Sequence, residues 1–193
     1  MPMLGVHKAL VLTKLRCASF APHSLVVRPH STTPKVTIMI VTVTRFILLL
    51  LLSLLVGTMF CIWIGFNPAN LSASAYVEQQ QNAIHAFNTL LPTIGAVCIL
   101  LTAGLAYGAH SDLRVRYLHA AAAICLVVAA VVTRFGNQPI NTIVMTWTAQ
   151  APAVNWTELR DAWWQWHIVR SVAGIGALVL TFIAVLTSKR APM

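Results

Sequence analysis

Hydrophobic residues form four long, nearly uncharged runs along the chain, separated by more polar segments. The runs cover residues 46–66, 90–107, 117–135 and 168–187. Each holds about 18 to 21 residues, enough for an α-helix to cross the ~30 Å hydrocarbon core of a bilayer. The pattern therefore predicts an all-α protein in which residues 39–193 form one domain, a four-transmembrane-helix bundle.

The segment between the first two runs predicts an additional helix. In "SASAYVEQQQNAIHAFNTLLP" one set of residues recurs at helical spacing, namely Tyr76, Gln80, Ala83, Ile84 and Phe87. The polar residues Glu78, Gln79 and Asn82 lie elsewhere on the circumference. This amphipathic pattern is typical of a helix with one face on an apolar surface. We expect an interfacial helix in the first extracytoplasmic loop, lying across the mouth of the bundle.

Composition and charge narrow the class of protein further. The chain is 58% hydrophobic and 9% charged, with a mean hydropathy of +0.78, well above the usual range of soluble domains. Its net charge is +9. Because the basic residues flank the predicted spans instead of forming a soluble patch, nucleic acid is excluded as a partner. Membrane lipid and a lipophilic small molecule are the expected partners, and the pattern specifies no oligomeric state.

Orientation follows from the Lys and Arg residues near the span ends. Arg45 precedes the first span, Arg114 and Arg116 lie in the second loop, and Lys189 and Arg190 follow the last span. Basic loops stay on the cytoplasmic side of a membrane. The rule predicts that this integral, multi-pass protein has both termini on the cytoplasmic side. The expected location is a bacterial cell membrane.

The third loop breaks this rule, since it carries Arg134, Arg160 and Arg170 on the predicted outer side. Arginines at a disfavoured membrane boundary are usually held by a partner, a ligand or a buried polar site. The alternative is simple pairing with Glu158 and Asp161 in the same loop.

Residues 1–38 differ from the remainder of the chain. They are basic, contain no acidic residue, include several prolines and have no spanning run. We interpret them as an N-terminal appendage and leave three readings open: translation that starts at Met39, a transit peptide, or a cytosolic tail.

The third loop opens with "RFGNQPINTIVMTW". Pro139 lacks an amide hydrogen and is expected to end the third span. Asn137 and Asn141 flank it, and amides at an apolar boundary are costly unless they are hydrogen-bonded. We expect them either to cap helix ends or to hold a ligand.

The last helix is expected to begin near Trp156, with Asn155 and Glu158 forming a capping box. At about 100° per residue, six residues fall within about 40° of one line, which we call the polar stripe: Trp156, Arg160, Trp163, His167, Arg170 and Gly174. Glu158, Asp161 and Gln165 fall on the opposite side.

The polar stripe is suited to a pocket for a flat anionic or phenolic molecule. Indoles supply planar apolar contact and a donor, guanidinium groups stabilise an oxyanion, and an imidazole can accept a proton near neutral pH. The alternative is an aromatic belt with snorkelling arginines. A haem held by His85 and His167 is a further alternative, but so few acids and scattered cysteines predict no metal site.

With these residues in view, the chain resembles the anthrone oxygenase-like family of small four-span membrane proteins. The matching pieces are "NQPIN" and "NWTELRDAWWQWHIVR" and, more loosely, the first loop. The resemblance implies a monooxygenase that needs no cofactor and oxidises a tricyclic anthrone, or a similar phenol, with dioxygen. A different class stays open: a non-enzymatic quinone- or lipid-binding module, or an accessory subunit of an oxidoreductase.

The resemblance also implies roles for particular residues. His167 would be the catalytic base, and Arg160 and Arg170 would hold the oxyanion of the substrate. The substrate-binding residues would be Asn137 and Asn141, which orient hydroxyl groups, and Trp147, Trp156 and Trp163, which line the ring pocket.

Overall fold

A computed structural model describes residues 33–188, and every regular element in that range is helical. The elements in order are α1 (Thr33–Gly65), a 3₁₀ turn (Pro68–Asn70), α2 (Ala73–Phe87), α3 (Leu90–Gly108), α4 (Leu113–Val132), a π-helical turn (Thr133–Asn137), α5 (Gln138–Val144) and α6 (Trp156–Thr187).

Four helical segments are long and apolar enough to cross a membrane: Lys35–Asn70, Leu90–Gly108, Leu113–Val144 and Trp156–Thr187. The predicted four-helix transmembrane bundle is therefore confirmed, and the protein is an integral, multi-pass membrane protein. The orientation of its termini stays a prediction.

The first spanning helix starts earlier than the predicted domain boundary, since α1 begins at Thr33 and passes through Met39 without interruption. The rest of the predicted appendage, residues 1–32, and the basic residues Lys189 and Arg190 lie outside the described part of the chain. The three readings of the appendage stay predictions.

The four spanning helices form a ring in which α6 packs against α4 and α1, and α3 packs against the same two helices. Leu48, Leu52 and Leu55 of α1 meet Cys98 of α3 and Ala177 of α6 in one buried cluster. Apolar side chains gain little by leaving lipid for this core, so close packing and polar contacts between helices carry the association.

The predicted helix in the first loop is confirmed as α2. Ser72 caps its start, because the Ser72 hydroxyl accepts a hydrogen bond of 3.3 Å from the Ala75 amide. Tyr76 and Ile84 are buried, in agreement with the amphipathic pattern, and they pack with Trp163 of α6 in a second apolar cluster. The interfacial location of α2 in a membrane stays a prediction.

The prediction that Pro139 ends the third span is wrong. The helix continues through the π-helical turn Thr133–Asn137 into α5, and Pro139 occupies the first turn of α5. The wider turn accommodates a residue that has no amide hydrogen to donate. It thereby carries the span on to Val144.

The predicted start of the last helix is confirmed at Trp156, but the capping box is not formed. Asn155 occupies the capping position with φ −93° and ψ 23°, and its side chain makes no capping hydrogen bond. Capping residues normally adopt an extended backbone that aims the side chain at the first free amides. Asn155 does not have that conformation.

Substitution of Gly136 should test the close contact between the π-helical turn and α6. A Cβ at Gly136 would lie 2.6 Å from Cγ of Trp166, near the base of that side chain. We expect Gly136→Ala to destabilise the fold by about 1–3 kcal/mol, because overpacked sites force neighbours to move. Thermal unfolding in detergent measures the effect. Gly104→Ala, where a Cβ meets nothing within 4 Å, is the matched control, and an equal melting temperature for both variants would contradict the contact.

Candidate functional site

A large cavity lies at the end of the bundle where α1 and α4 end and α3 and α6 begin. Its volume is about 1170 Å³, and its wall is mostly apolar. One side is formed by α2, and exposed residues in the wall leave the cavity open to the surroundings. The polar wall residues of α2 through α6 include Glu78, Gln79, Gln80, Asn82, Asn88, Arg134, Asn141, Trp163 and Arg170.

Asn141 joins three elements around this cavity. Its Oδ1 accepts hydrogen bonds from the Trp163 indole at 2.8 Å and from the Gln80 amide at 3.3 Å. Its Nδ2 donates to Oδ1 of Asn88 at 2.9 Å. Because these partners belong to α6, α2 and the turn after α2, the Asn141 side chain fixes α2 against the end of the bundle.

Asn137 lies behind the wall and does not line the cavity. It is fully buried in the π-helical turn, and its Nδ2 donates to the backbone carbonyl of Trp163 at 3.0 Å. Its Oδ1 has no hydrogen-bond partner among the described residues. Neither asparagine caps a helix, so both amides serve instead as contacts between helices.

His167 is fully buried, and both of its ring nitrogens have protein partners. Nε2 lies 3.1 Å from the backbone carbonyl of Met59. Nδ1 lies 3.1 Å from Nε and 2.9 Å from Nη2 of Arg170. Since a carbonyl can only accept and a guanidinium can only donate, these contacts assign the imidazole proton to Nε2. His167 is therefore a neutral acceptor for Arg170, and its ring does not line the cavity.

Two indoles hold the imidazole of His167 in place. Its ring stacks on Trp163 at 5.2 Å between centroids and 3° between planes, and on Trp164 at 5.6 Å and 22°. Arg170 itself lines the cavity, with its Cζ 5.7 Å from the Trp163 ring. The hydrogen bonds of Arg170 to residues 33–188 involve Nε and Nη2 and leave Nη1 without a partner among them.

The outer part of the polar stripe forms a separate cluster away from the cavity. Nε of Arg160 pairs with the Asp161 carboxylate at 2.8 Å, and Cζ of Arg160 lies 5.1 Å from the Trp156 ring. Nη1 of Arg160 also donates to the Ala69 carbonyl at 3.4 Å. Pairing with a nearby carboxylate, the alternative given for these arginines, thus applies to Arg160, whose partner Asp161 lies in α6. Arg170 donates to His167 instead.

Tyr76 packs beneath this outer cluster. Its ring lies 5.9 Å from that of Trp156, and the residue is fully buried. Burial raises the pKa of Tyr76 to about 12; the nearby charge of Arg160 acts in the opposite direction, and that of Asp161 adds to the increase. The phenol therefore stays neutral across the physiological range and contributes an uncharged contact between α2 and α6.

The predicted site residues divide into two groups. Asn141, Trp163 and Arg170 line the cavity. The other five lie behind or outside its wall: Asn137, Trp147, Trp156, Arg160 and His167. Trp147, for example, packs in the apolar cluster beside α2 and accepts a hydrogen bond of 2.9 Å from the Gln81 amide through its backbone carbonyl.

Sequence reasoning did not select several polar residues of the cavity wall. Glu78, Gln79 and Asn82 were placed off the buried face of α2, yet they line the cavity together with Gln80. Arg134 was noted only as an exception to the charge rule. The signal available was the polar run "EQQQN", which is unusual beside an apolar span.

Comparison with known protein families gives a match over about half of the chain. The family model described as anthrone oxygenase matches residues 81–180, from within α2 to within α6. This range contains all eight predicted site residues. No match is found among curated proteins or among solved structures.

Removal of the Asn141 side-chain amide should loosen α2. In Asn141→Leu the indole of Trp163 and the amide of Gln80 lose their acceptor, and a buried donor without a partner costs about 1–3 kcal/mol. We expect the backbone amides of Ala73–Phe87 to exchange with deuterium about tenfold faster.

The matched control is Thr142→Ala at the adjacent exposed position, where the hydroxyl only bonds back to the Gln138 carbonyl at 3.1 Å. Exchange in α2 should be unchanged in this control. Equal exchange rates in Asn141→Leu and the wild type would show that Asn141 does not anchor α2.

Proposed function

We propose that this protein is a membrane-embedded oxygenase that works without a cofactor. The premise is that the chain belongs to the anthrone oxygenase family, because the family model matches residues 81–180 of the 193 residues in the chain. Its substrate would be a lipophilic aromatic molecule of the anthrone or phenol type, and its oxidant dioxygen. The observation that carries the proposal is Arg170, held at the wall of a large apolar cavity beside the flat face of Trp163.

The cavity has the features that such a substrate requires. Ligand pockets typically have volumes of about 300–1,000 Å³ and apolar walls with a few placed polar groups. At about 1170 Å³ this cavity has room for a tricyclic ring system together with dioxygen. Its mostly apolar wall suits a molecule that partitions into lipid.

The proposed reaction balances without a metal or an organic cofactor. A base removes a proton from the central methylene of the anthrone, and the electron pair delocalises onto the carbonyl oxygen. The resulting enolate transfers electrons to dioxygen and forms a carbon–oxygen bond, which gives a peroxide at that carbon. Loss of the second methylene proton and cleavage of the oxygen–oxygen bond yield the quinone and water. The protein has to accept a proton and stabilise an oxyanion.

Arg170 is the group that we assign to the oxyanion. Two of its nitrogens are fixed by Nδ1 of His167, which leaves Nη1 to donate into the cavity. Within a mostly apolar wall, a guanidinium that is already oriented stabilises developing negative charge without reorganisation. Trp163 lies beside it and offers a surface for ring stacking.

His167 receives a different role from the base that the resemblance implies. Its Nδ1 lone pair is occupied by Arg170, and its Nε2 donates to the Met59 carbonyl. A substrate proton could reach Nδ1 only after Arg170 had moved away. We therefore propose that His167 is a positioning residue, which holds Arg170 at the cavity wall.

We propose that three residues of the predicted site support α2 and do not contact the substrate. They are Arg160, Trp156 and Trp147. Arg160 reaches from α6 to the 3₁₀ turn through the Ala69 carbonyl, and Trp156 packs on Tyr76 of α2. These contacts fix the polar side of the cavity.

A second candidate is a non-enzymatic module that binds a quinone or a lipid. The burial of His167 favours this binding module, because His167 is the base that the resemblance implies and it does not line the cavity. The two candidates differ in turnover by the purified protein alone. A binding module would retain the ligand and leave the rate of oxygen consumption unchanged.

The enzyme proposal predicts oxygen consumption and quinone formation when the purified protein meets anthrone, above the rate without protein. Arg170→Gln should lower the turnover number by about 10²–10³, the usual effect of removing one oxyanion donor. Arg116→Gln, which removes an exposed positive charge near the start of α4 at the opposite end of the bundle, should leave the rate unchanged. A wild type that binds anthraquinone but never accelerates oxygen uptake would support the binding module instead.

The positioning role of His167 predicts unequal effects of two substitutions. In His167→Asn the side-chain oxygen lies near the former Nδ1 and can still accept from Arg170, so we expect turnover within about tenfold of the wild type. In His167→Ala this acceptor is lost, and turnover should fall about a hundredfold. Steady-state kinetics on variants with matched melting temperatures measures the difference. Equal, severe losses in both variants would favour His167 as the base.

A further inference from the structure

The proposed reaction needs a proton acceptor that is open to the cavity, and this inference rests on that proposed function. The group must approach the central methylene of the substrate within hydrogen-bonding reach. His167 does not line the cavity, and its only lone pair on nitrogen is directed at Arg170.

The acidic residues of the chain leave one candidate. The chain contains four Asp and Glu residues, and all four lie in the described range. Asp112 caps α4 at the opposite end of the bundle through the Val115 amide, and Asp161 pairs with Arg160. Glu158 is exposed in the first turn of α6 and does not line the cavity. Glu78 alone of the four belongs to the cavity wall.

The other ionisable groups that line the cavity in the described range are poor proton acceptors. Arg134 and Arg170 carry guanidinium groups, which have no free lone pair for a proton. Cys61 carries a thiol, which must lose its own proton before it can accept another. A carboxylate accepts a proton directly.

The fold holds the backbone of α2 in place at Glu78. It follows directly after Tyr76 and Val77, both fully buried, and precedes Gln80, which donates to Asn141. The helix α2 is therefore anchored on both sides of Glu78. The residue is exposed at the same time, so a proton taken up from the cavity can pass to water.

We infer that Glu78 is the catalytic base of this site. The central carbon–hydrogen bond of the substrate breaks, and its proton passes to a carboxylate oxygen of Glu78. The electron pair stays with the carbon and delocalises onto the carbonyl oxygen, where Arg170 stabilises it. Dioxygen then oxidises this anion, as in the proposed function, and the protonated Glu78 releases its proton to water.

The test separates proton transfer from oxidation. Anthrone deuterated at its central methylene is incubated anaerobically with the protein, and loss of deuterium to water is followed by mass spectrometry. The wild type should accelerate this exchange, whereas Glu78→Gln should lower the accelerated rate at least a hundredfold, as expected for loss of a general base. Glu158→Gln is the matched control and should exchange like the wild type.

A binding measurement and a rescue experiment complete the design. Anthraquinone has no methylene proton, so its affinity for Glu78→Gln should stay within about threefold of the wild type. Added formate should restore part of the exchange in Glu78→Ala, because a small carboxylate can replace the missing one.

The outcomes distinguish the two proposals. If the wild type oxidises anthrone and Glu78→Gln exchanges and oxidises at the same rate, Glu78 is not the base and the oxygenase proposal stands. If the wild type neither exchanges deuterium nor consumes oxygen, the oxygenase proposal falls and the role of Glu78 falls with it. Loss of exchange in Glu78→Gln with retained anthraquinone binding supports both.

Discussion

The cost of a polar group inside an apolar bundle is the constraint on which this structure depends. A buried amide, imidazole or guanidinium lowers the stability of the fold unless its donors and acceptors are matched. Behind the cavity wall, His167 donates a hydrogen bond to the Met59 carbonyl and accepts one from Arg170. Each group satisfies its neighbour, and the series of contacts ends at a guanidinium whose Nη1 makes no hydrogen bond to residues 33–188. The stability of the bundle and the chemistry that we propose for the cavity therefore rest on the same hydrogen bonds.

The fold could be predicted from the sequence wherever a single physical rule acts over a long segment. The four spans follow from uninterrupted apolar runs, and α2 follows from a helical period of buried residues. The errors occurred at single residues whose environment is set by the rest of the fold. Pro139 lies inside a continuing helix because a π-helical turn precedes it. Asn155 fails to cap because its backbone is not extended. Local rules carry no information on either adjustment.

The candidate site was predictable along one helix and not between helices. Angular spacing on α6 placed Trp163, His167 and Arg170 on an inward face, as the structure has them. It could not show that His167 is enclosed by Met59 of α1 and by two indoles, because those contacts depend on packing. Nor could it show that Glu78, Gln79 and Asn82 of α2 line the cavity. An amphipathic pattern separates two faces of a helix but does not determine what each face contacts.

The family model covers only part of the cavity wall. The family description can therefore suggest roles for only some of the residues that line the cavity. Residues 81–180 include Asn141, Trp163 and Arg170, but the wall is completed by α1 and by the first half of α2, which precede that range. Met59, the acceptor for His167, and Glu78 both lie outside it. In the proposed mechanism, the matched part supplies the groups that bind and stabilise the anion of the substrate. The proton acceptor of that mechanism has to be assigned from the geometry of this chain, since His167, the base that the resemblance implies, is closed off by its own hydrogen bonds.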